Sequence, residues 1–159
     1  MAAVTADQIR QERAVELKVY ETAAVVTSNV VYVGCLLSFK PGSARVMNGV
    51  ATANYRCAGI CEGIVNDSGS FVSTITGNTA GTVRVRYSYG QEALFNCITA
   101  MYTYTNINNT ALLKTNNEVE GTAVGTAALR QSVGAIVQLQ STNSVWVAIR
   151  RFGIAAATG

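Results

Sequence analysis

The chain has 159 residues, of which 49% are hydrophobic and only 13% charged, with a net charge of +3. That length suits one core, the low charge excludes a disordered polyelectrolyte, and so small a positive balance does not by itself mark a nucleic-acid partner. Histidine is absent, which removes every imidazole base and every His-ligated metal site, and no apolar run approaches the ~18–20 residues of a membrane span.

Residues 1–20 stand apart. They contain Asp7, Arg10, Glu12, Arg13, Glu16 and Lys18, a higher charge density than the rest of the chain. Thr5-Ala6-Asp7-Gln8 resembles a capping box. The helix it would open has poor periodicity, because Ile9 stands nearly alone before Val15 and Leu17. Two readings follow: a short surface helix, or an extended arm that orders only against a partner. The segment has too few apolar residues to anchor itself on its own core, which favours the arm. Its mixture of acids and bases, without a long apolar stretch, is unlike a secretory signal and predicts a chain made in a cytosol.

From Thr22 onward the signals are for strands. Val25-Val26, Val30-Val31-Tyr32-Val33 and Cys35-Leu36-Leu37-Ser38-Phe39 are β-branched or apolar runs broken by polar residues and Gly34. Lys40-Pro41-Gly42-Ser43 is a turn, and Asn48-Gly49 carries a type I′ hairpin signal. Tyr55 to Val65 predicts a buried strand, followed by polar loops at Asn66 to Ser70 and Thr76 to Gly81. Thr82 to Tyr87 alternates cleanly: Val83, Val85 and Tyr87 share one face, Arg84 and Arg86 the other. Ser88-Tyr89-Gly90 is expected to break it. Strands are then expected over Glu92 to Ile98, Ala100 to Thr105 and Ala111 to Lys114, with a turn at Asn116-Asn117. Ala123 to Gln131 has the composition of a short helix. Ser132 to Gln140 and Val145 to Arg150 read as a hairpin, with Val145, Val147 and Ile149 on one face and Trp146 and Arg150 on the other. Strand signals recur at roughly 8–12 residues, the pattern of an antiparallel sandwich or barrel. The expected organisation is all-β: an extended N-terminal arm over 1–20 and a single β domain over 21–159.

Chemistry is sparse. Cys57 and Cys61 invite a metal or redox reading, but on a regular strand they share a face ~13 Å apart, too far for a disulfide or a common zinc. Cys35, Cys57, Cys61 and Cys97 are therefore expected to be reduced, buried and packed as small hydrophobes. Arg56 beside Cys57 would point to the opposite face and could not activate that sulfur. Glu62 with Asp67, or Glu118 with Glu120, could form a carboxylate pair, though nothing ties either to a pocket. No phosphate loop or nucleophile elbow occurs. Asn66-Asp67-Ser68 and Asn108-Asn109-Thr110 match the glycosylation acceptor pattern and, without a secretory signal, read as chance. No catalytic residue, cofactor or metal is expected. The Arg84/Arg86 stripe is either a solvated strand face or a cationic surface for acidic groups of another protein; stacking aromatics for nucleic acid are missing, since Tyr87 and Tyr89 fall on the opposite face.

The order of segments resembles the decoration, or cement, proteins of tailed-bacteriophage heads. Val4-Thr5-Ala6-Asp7 with Arg10 is similar to that family's Leu-Thr-Ala-Asp-Arg-type arm. Val31-Tyr32-Val33-Gly34-Cys35-Leu36-Leu37 resembles its early strand, and Ala58-Gly59-Ile60-Cys61-Glu62-Gly63 with Asn66 to Gly69 its next strand and polar loop. Val83-Arg84-Val85-Arg86 with Gly90 and Phe95 resembles a Val-Arg-Val block, and Val133-Gly134 to Gln138 with Val145 to Ile149 a closing hairpin. The Cys57/Cys61 pair, Thr103 to Asn109 and the tail Ala155 to Gly159 depart from the pattern. The resemblance implies a non-enzymatic virion protein on the outer capsid surface, made in host cytoplasm. Its partners would be the major capsid protein and copies of itself, as a trimer or other symmetric oligomer, with no nucleic acid and no membrane. Thr5, Asp7, Arg10, Arg13, Arg84 and Arg86 are the expected contacts. A head-fibre or adhesin-like module using Tyr102 to Thr110, with Tyr102 and Tyr104 stacking on sugars, is the alternative, as is a tail-tube or stopper subunit.

Overall fold

The computed structural model describes residues 3–8, 10–13, 18–52, 54–65, 71–72, 74–97, 107–121 and 131–150. They form fourteen strands: β1 (Glu12–Arg13), β2 (Val19–Ala24), β3 (Val30–Tyr32), β4 (Leu36–Phe39), β5 (Val46–Asn48), β6 (Arg56–Val65), β7 (Phe71–Val72), β8 (Thr74–Thr76), β9 (Arg84–Tyr89), β10 (Glu92–Cys97), β11 (Thr110–Thr115), β12 (Glu118–Gly121), β13 (Ser132–Ser141) and β14 (Ser144–Ile149). The all-β expectation holds. The expected strand at 100–105, the loop at 66–70 and residues 123–130 of the helix expected over 123–131 lie outside the described residues; Gln131, which is described, is not helical.

Two sheets carry the body. In the first, β10, β12, β11, β13 and β14 follow one another, and β14 pairs back with β10, closing a five-stranded barrel. Alternation explains the filling: Ala93, Phe95 and Cys97 of β10, and Val145, Val147 and Ile149 of β14, all join one buried cluster. Each large apolar side chain removed from water there contributes about 1.5–3 kcal/mol. The β10–β12 contact is parallel, pairing Asn96 with Glu118 and Cys97 with Val119.

The second sheet runs β2-β9-β6-β4-β5, and a single parallel bridge from Val25 to Val46 draws its two edges together. Its second cluster holds Ala23, Val25, Val31, Leu37, Val46, Ala58, Cys61, Val85 and Tyr87. Leu36, Cys57 and Ile60 of this sheet instead enter the barrel cluster. Cys57 and Cys61 therefore do not share a face. The register against β4 slips between Leu37 and Ser38, opposite Gly59 and Cys57. This bulge shifts the alternation by one residue, so the two sulfurs enter different cores. Gly59 makes the slip possible: its φ is +135°, and a Cβ there would lie 2.2 Å from the Ser88 carbonyl oxygen.

Other boundaries move slightly. β2 begins at Val19, so the last two residues assigned to the arm belong to the body. β9 continues through Ser88 and Tyr89 instead of breaking there. Asn48-Gly49 is not a hairpin turn; the chain runs on to Val50, which bridges Thr115. The Lys40 to Ser43 turn is present, with the Ser43 amide donating to the Lys40 carbonyl at 3.1 Å.

Candidate functional site

Residues 3–8 and 10–13 lie on the chain's own body. No helix opens at Thr5: it is exposed in a bend, and the Gln8 side chain donates to the carbonyls of Ala6 and Asp7. Among these residues the anchors to the body are polar groups, in place of the apolar side chains the segment lacks. Asn116 clamps Val4 from both sides, accepting its amide and donating to its carbonyl, each at 3.0 Å. The Gln8 amide donates to the Val33 carbonyl at 2.7 Å, and the Val33 amide donates to Asp7 Oδ1 at 2.8 Å. Gly34 leaves room for this approach, since a Cβ there would lie 1.9 Å from the Gln8 carbonyl oxygen. Farther on, the Leu94 amide donates to the Gln11 carbonyl, and β1 pairs antiparallel with β10.

Arg10 is the centre of the dock. Its Nε and Nη2 donate to the Gly34 carbonyl at 3.1 and 2.9 Å, Nη1 to the Leu94 carbonyl at 2.8 Å, and Nη2 to Asn117 Oδ1 at 2.6 Å. The guanidinium stands 4.4 Å above the centre of the Phe95 ring. Burial pulls its pKa down to about 10, only partly countered by Cys35 and Glu12. All four hydrogen bonds go to neutral oxygens, so the charge is held without a directly bonded carboxylate. Arg13 is more exposed: it bonds Glu92 and Gln138 and stacks 4.3 Å from the Trp146 ring centre.

The arginine stripe of β9 acquires an aromatic partner from the neighbouring strand. Arg86 lies 4.9 Å from the ring centre of Tyr20, which is 50% exposed, and Arg84 Nη2 donates to Thr22 Oγ1 at 3.2 Å. Lys18 joins the stripe to the arm. It bonds Glu12 of β1 and Glu62 of β6, the latter at 2.7 Å, and lies 5.3 Å from the Tyr20 ring centre. Its partial burial works against the charge, but the two carboxylates more than offset this and raise its pKa. Asn116, Asn117, Gly34, Phe95, Trp146 and Tyr20 are thus contact-forming residues that residue-type patterns did not single out. The Asn116-Asn117 pair was legible only as a turn.

The four cysteines are buried and free. Burial pushes Cys57 and Cys61 up to about 12 and Cys35 and Cys97 up to about 11, far from a reactive thiolate. Arg56 is exposed beside Cys57, which lies at full burial. Glu118 and Glu120 are both 3% exposed, and Glu118 accepts from Lys114 at 3.1 Å. A general acid or base must reach its substrate, and neither carboxylate has that access. Asp67, Tyr102 and Tyr104 lie outside the described residues. Among the described residues, no group of three His, Cys, Asp or Glu side chains is placed to hold a metal, and no helix is long and apolar enough to cross a membrane.

Compared with known protein families, with curated proteins and with solved structures, the chain finds no match.

Proposed function

We propose that this chain is a non-enzymatic structural protein of a phage virion, a cement protein that binds the outer capsid surface and stabilises the shell. It would be made in host cytoplasm, with the major capsid protein and further copies of itself, in a trimer or other symmetric oligomer, as partners. The observation that carries the reading is the manner in which the arm is held. Residues 4–8 and 10–13 are fixed by backbone pairing and polar side chains, with Arg10 half-buried against neutral oxygens. Such an arm can exchange these partners for equivalent ones on a neighbouring sheet edge at small net cost, as in strand addition. Thr5, Asp7 and Arg13 are exposed along it. Tyr20 with Arg84 and Arg86 forms a second contact patch of the Tyr/Arg type that dominates interface energetics. A charged fraction of 13% suits a surface that is partly covered on assembly. The ordered strand and glycine segments that resemble those of decoration proteins are a further reason for this reading. Repetition over a shell lets each contact be weak.

Deletion of residues 1–18 tests the reading. The truncated chain is expected to keep its β-sheet circular dichroism and lose shell binding; undiminished binding refutes the arm's role. Mass spectrometry of virions whose genome encodes the chain is expected to find it at a fixed ratio to the shell protein. Its absence from purified particles would remove the proposal.

A further inference from the structure

We infer that the seam between β2 and the β4–β5 hairpin is a strand-addition site for an acidic, extended segment of a partner protein. This inference goes beyond the capsid reading and does not depend on it. The second sheet curls until its edges meet just beyond β2, and among the described residues the two edges are joined only at Val25 and Val26, where the Val26 amide donates to the Val46 carbonyl at 2.8 Å. The next amide back, Val25, donates to Val83 on the β9 side, also at 2.8 Å. Alternation therefore turns the peptide groups of Ala24 and Thr22 into the seam. Among the described residues no strand pairs with that edge. An unpaired edge of this kind is a template for another chain.

The seam is also a cleft. A hollow of about 620 Å³ is floored by Phe39 and Tyr87, which meet edge to face at 5.8 Å, and walled by Lys40 to Ala44. It shares Thr22, Ala23, Ser43 and Ala44 with a second hollow of about 430 Å³ that reaches Arg45 and Arg84. The edge from Glu21 to Ala24 spans roughly 10 Å, the length of about four extended residues laid alongside it.

Charge selects the occupant. Four cations line the two hollows, Lys40, Arg45, Arg56 and Arg84, against one acid, Glu21. That carboxylate already accepts the Tyr87 and Tyr89 hydroxyls at 2.7 and 3.0 Å. Arg45 is engaged by the carbonyls of Asn78 and Thr79, and Arg84 by Thr22. Lys40 and Arg56 are exposed, and among the described residues no side chain or carbonyl bonds their charged ends. They are the two cations left to meet acidic side chains alternating along an added strand.

The test uses the full chain, ¹⁵N-labelled, and an acetylated, amidated hexapeptide alternating Val and Glu. Amide shifts are expected at Thr22, Ala24, Lys40 and Gly42 to Ala44. Replacing both cations (Lys40→Glu, Arg56→Glu), each on an exposed site, is expected to weaken binding about tenfold. Ala24→Pro, which removes a seam-facing donor, is expected to weaken it while the circular dichroism is retained. No binding at millimolar peptide, binding unaffected by the charge reversal, or equal binding of a Val/Lys peptide would overturn the inference. So would the same shifts produced by a short oligonucleotide in place of the acidic peptide. The same shifts on raising the protein concentration alone would assign the seam to a second copy and equally overturn it.

Discussion

Replacing Arg10 with alanine is expected to release the arm while leaving the two cores intact. The guanidinium serves three acceptors, Gly34 O, Leu94 O and Asn117 Oδ1, and covers the Phe95 ring. At about 1.5 kcal/mol for each acceptor bonded by a charged donor, and about 1 kcal/mol for the ring, the gross attraction is about 5–6 kcal/mol. Desolvating an ion costs several kcal/mol, which leaves a net of about 2–3 kcal/mol, or roughly 30- to 150-fold in the docking equilibrium. Native-state hydrogen exchange reads this directly. The amides of Gln8, Val33 and Leu94, whose acceptors are Val33 O, Asp7 Oδ1 and Gln11 O, are expected to exchange faster by that factor in Arg10→Ala. Cys61 and Ile149, whose amides donate to Cys35 and Gln91 within the body, are expected to change less than about twofold. Arg10→Lys is expected to fall close to the alanine variant, because a single ammonium cannot span the three acceptors. Unchanged exchange at Leu94 would refute Arg10 as the anchor. Equal acceleration at Cys61 would show that the arm is integral to the fold and not separable from it.

Gly59→Ala is expected to cost about 3 kcal/mol or more, since it combines a positive φ with a Cβ 2.2 Å from the Ser88 carbonyl oxygen; urea unfolding checks this, and a loss under about 0.5 kcal/mol contradicts the bulge. Lys18 has a folded pKa above 10.5, so its pairing with Glu12 and Glu62 stabilises fully below that pH and is lost as pH rises through the folded value. The difference in melting temperature between the parent chain and Lys18→Met is expected to be constant from pH 7 to 9 and to vanish above its folded pKa. With all four thiols buried and pushed up to about 11–12, a thiol-specific disulfide reagent at pH 8 is expected to label none rapidly in the native chain and all four after denaturation. Rapid native labelling of Cys57 would contradict its burial.

Local alternation carries far in this protein, because side-chain direction along a strand depends only on residue parity. Val145, Val147 and Ile149 are inward in sequence and in space, and so are Val85 and Tyr87. What defeated that rule was the bulge at Gly59, where a register slip of one residue sent Cys57 and Cys61 into separate cores. Such a slip is set by the partner strand, so the chain's own pattern cannot display it. Closure of the barrel through β10 and β14 is likewise a pairing across tens of residues. The arm makes the same point for the candidate site. Asp7 and Arg10 were visible as part of a charged cluster, but Val33, Gly34, Leu94 and Asn117 supply their partners from three distant segments. Hydrogen-bond acceptors on backbone carbonyls leave no trace in residue type; folding alone brings them to one place.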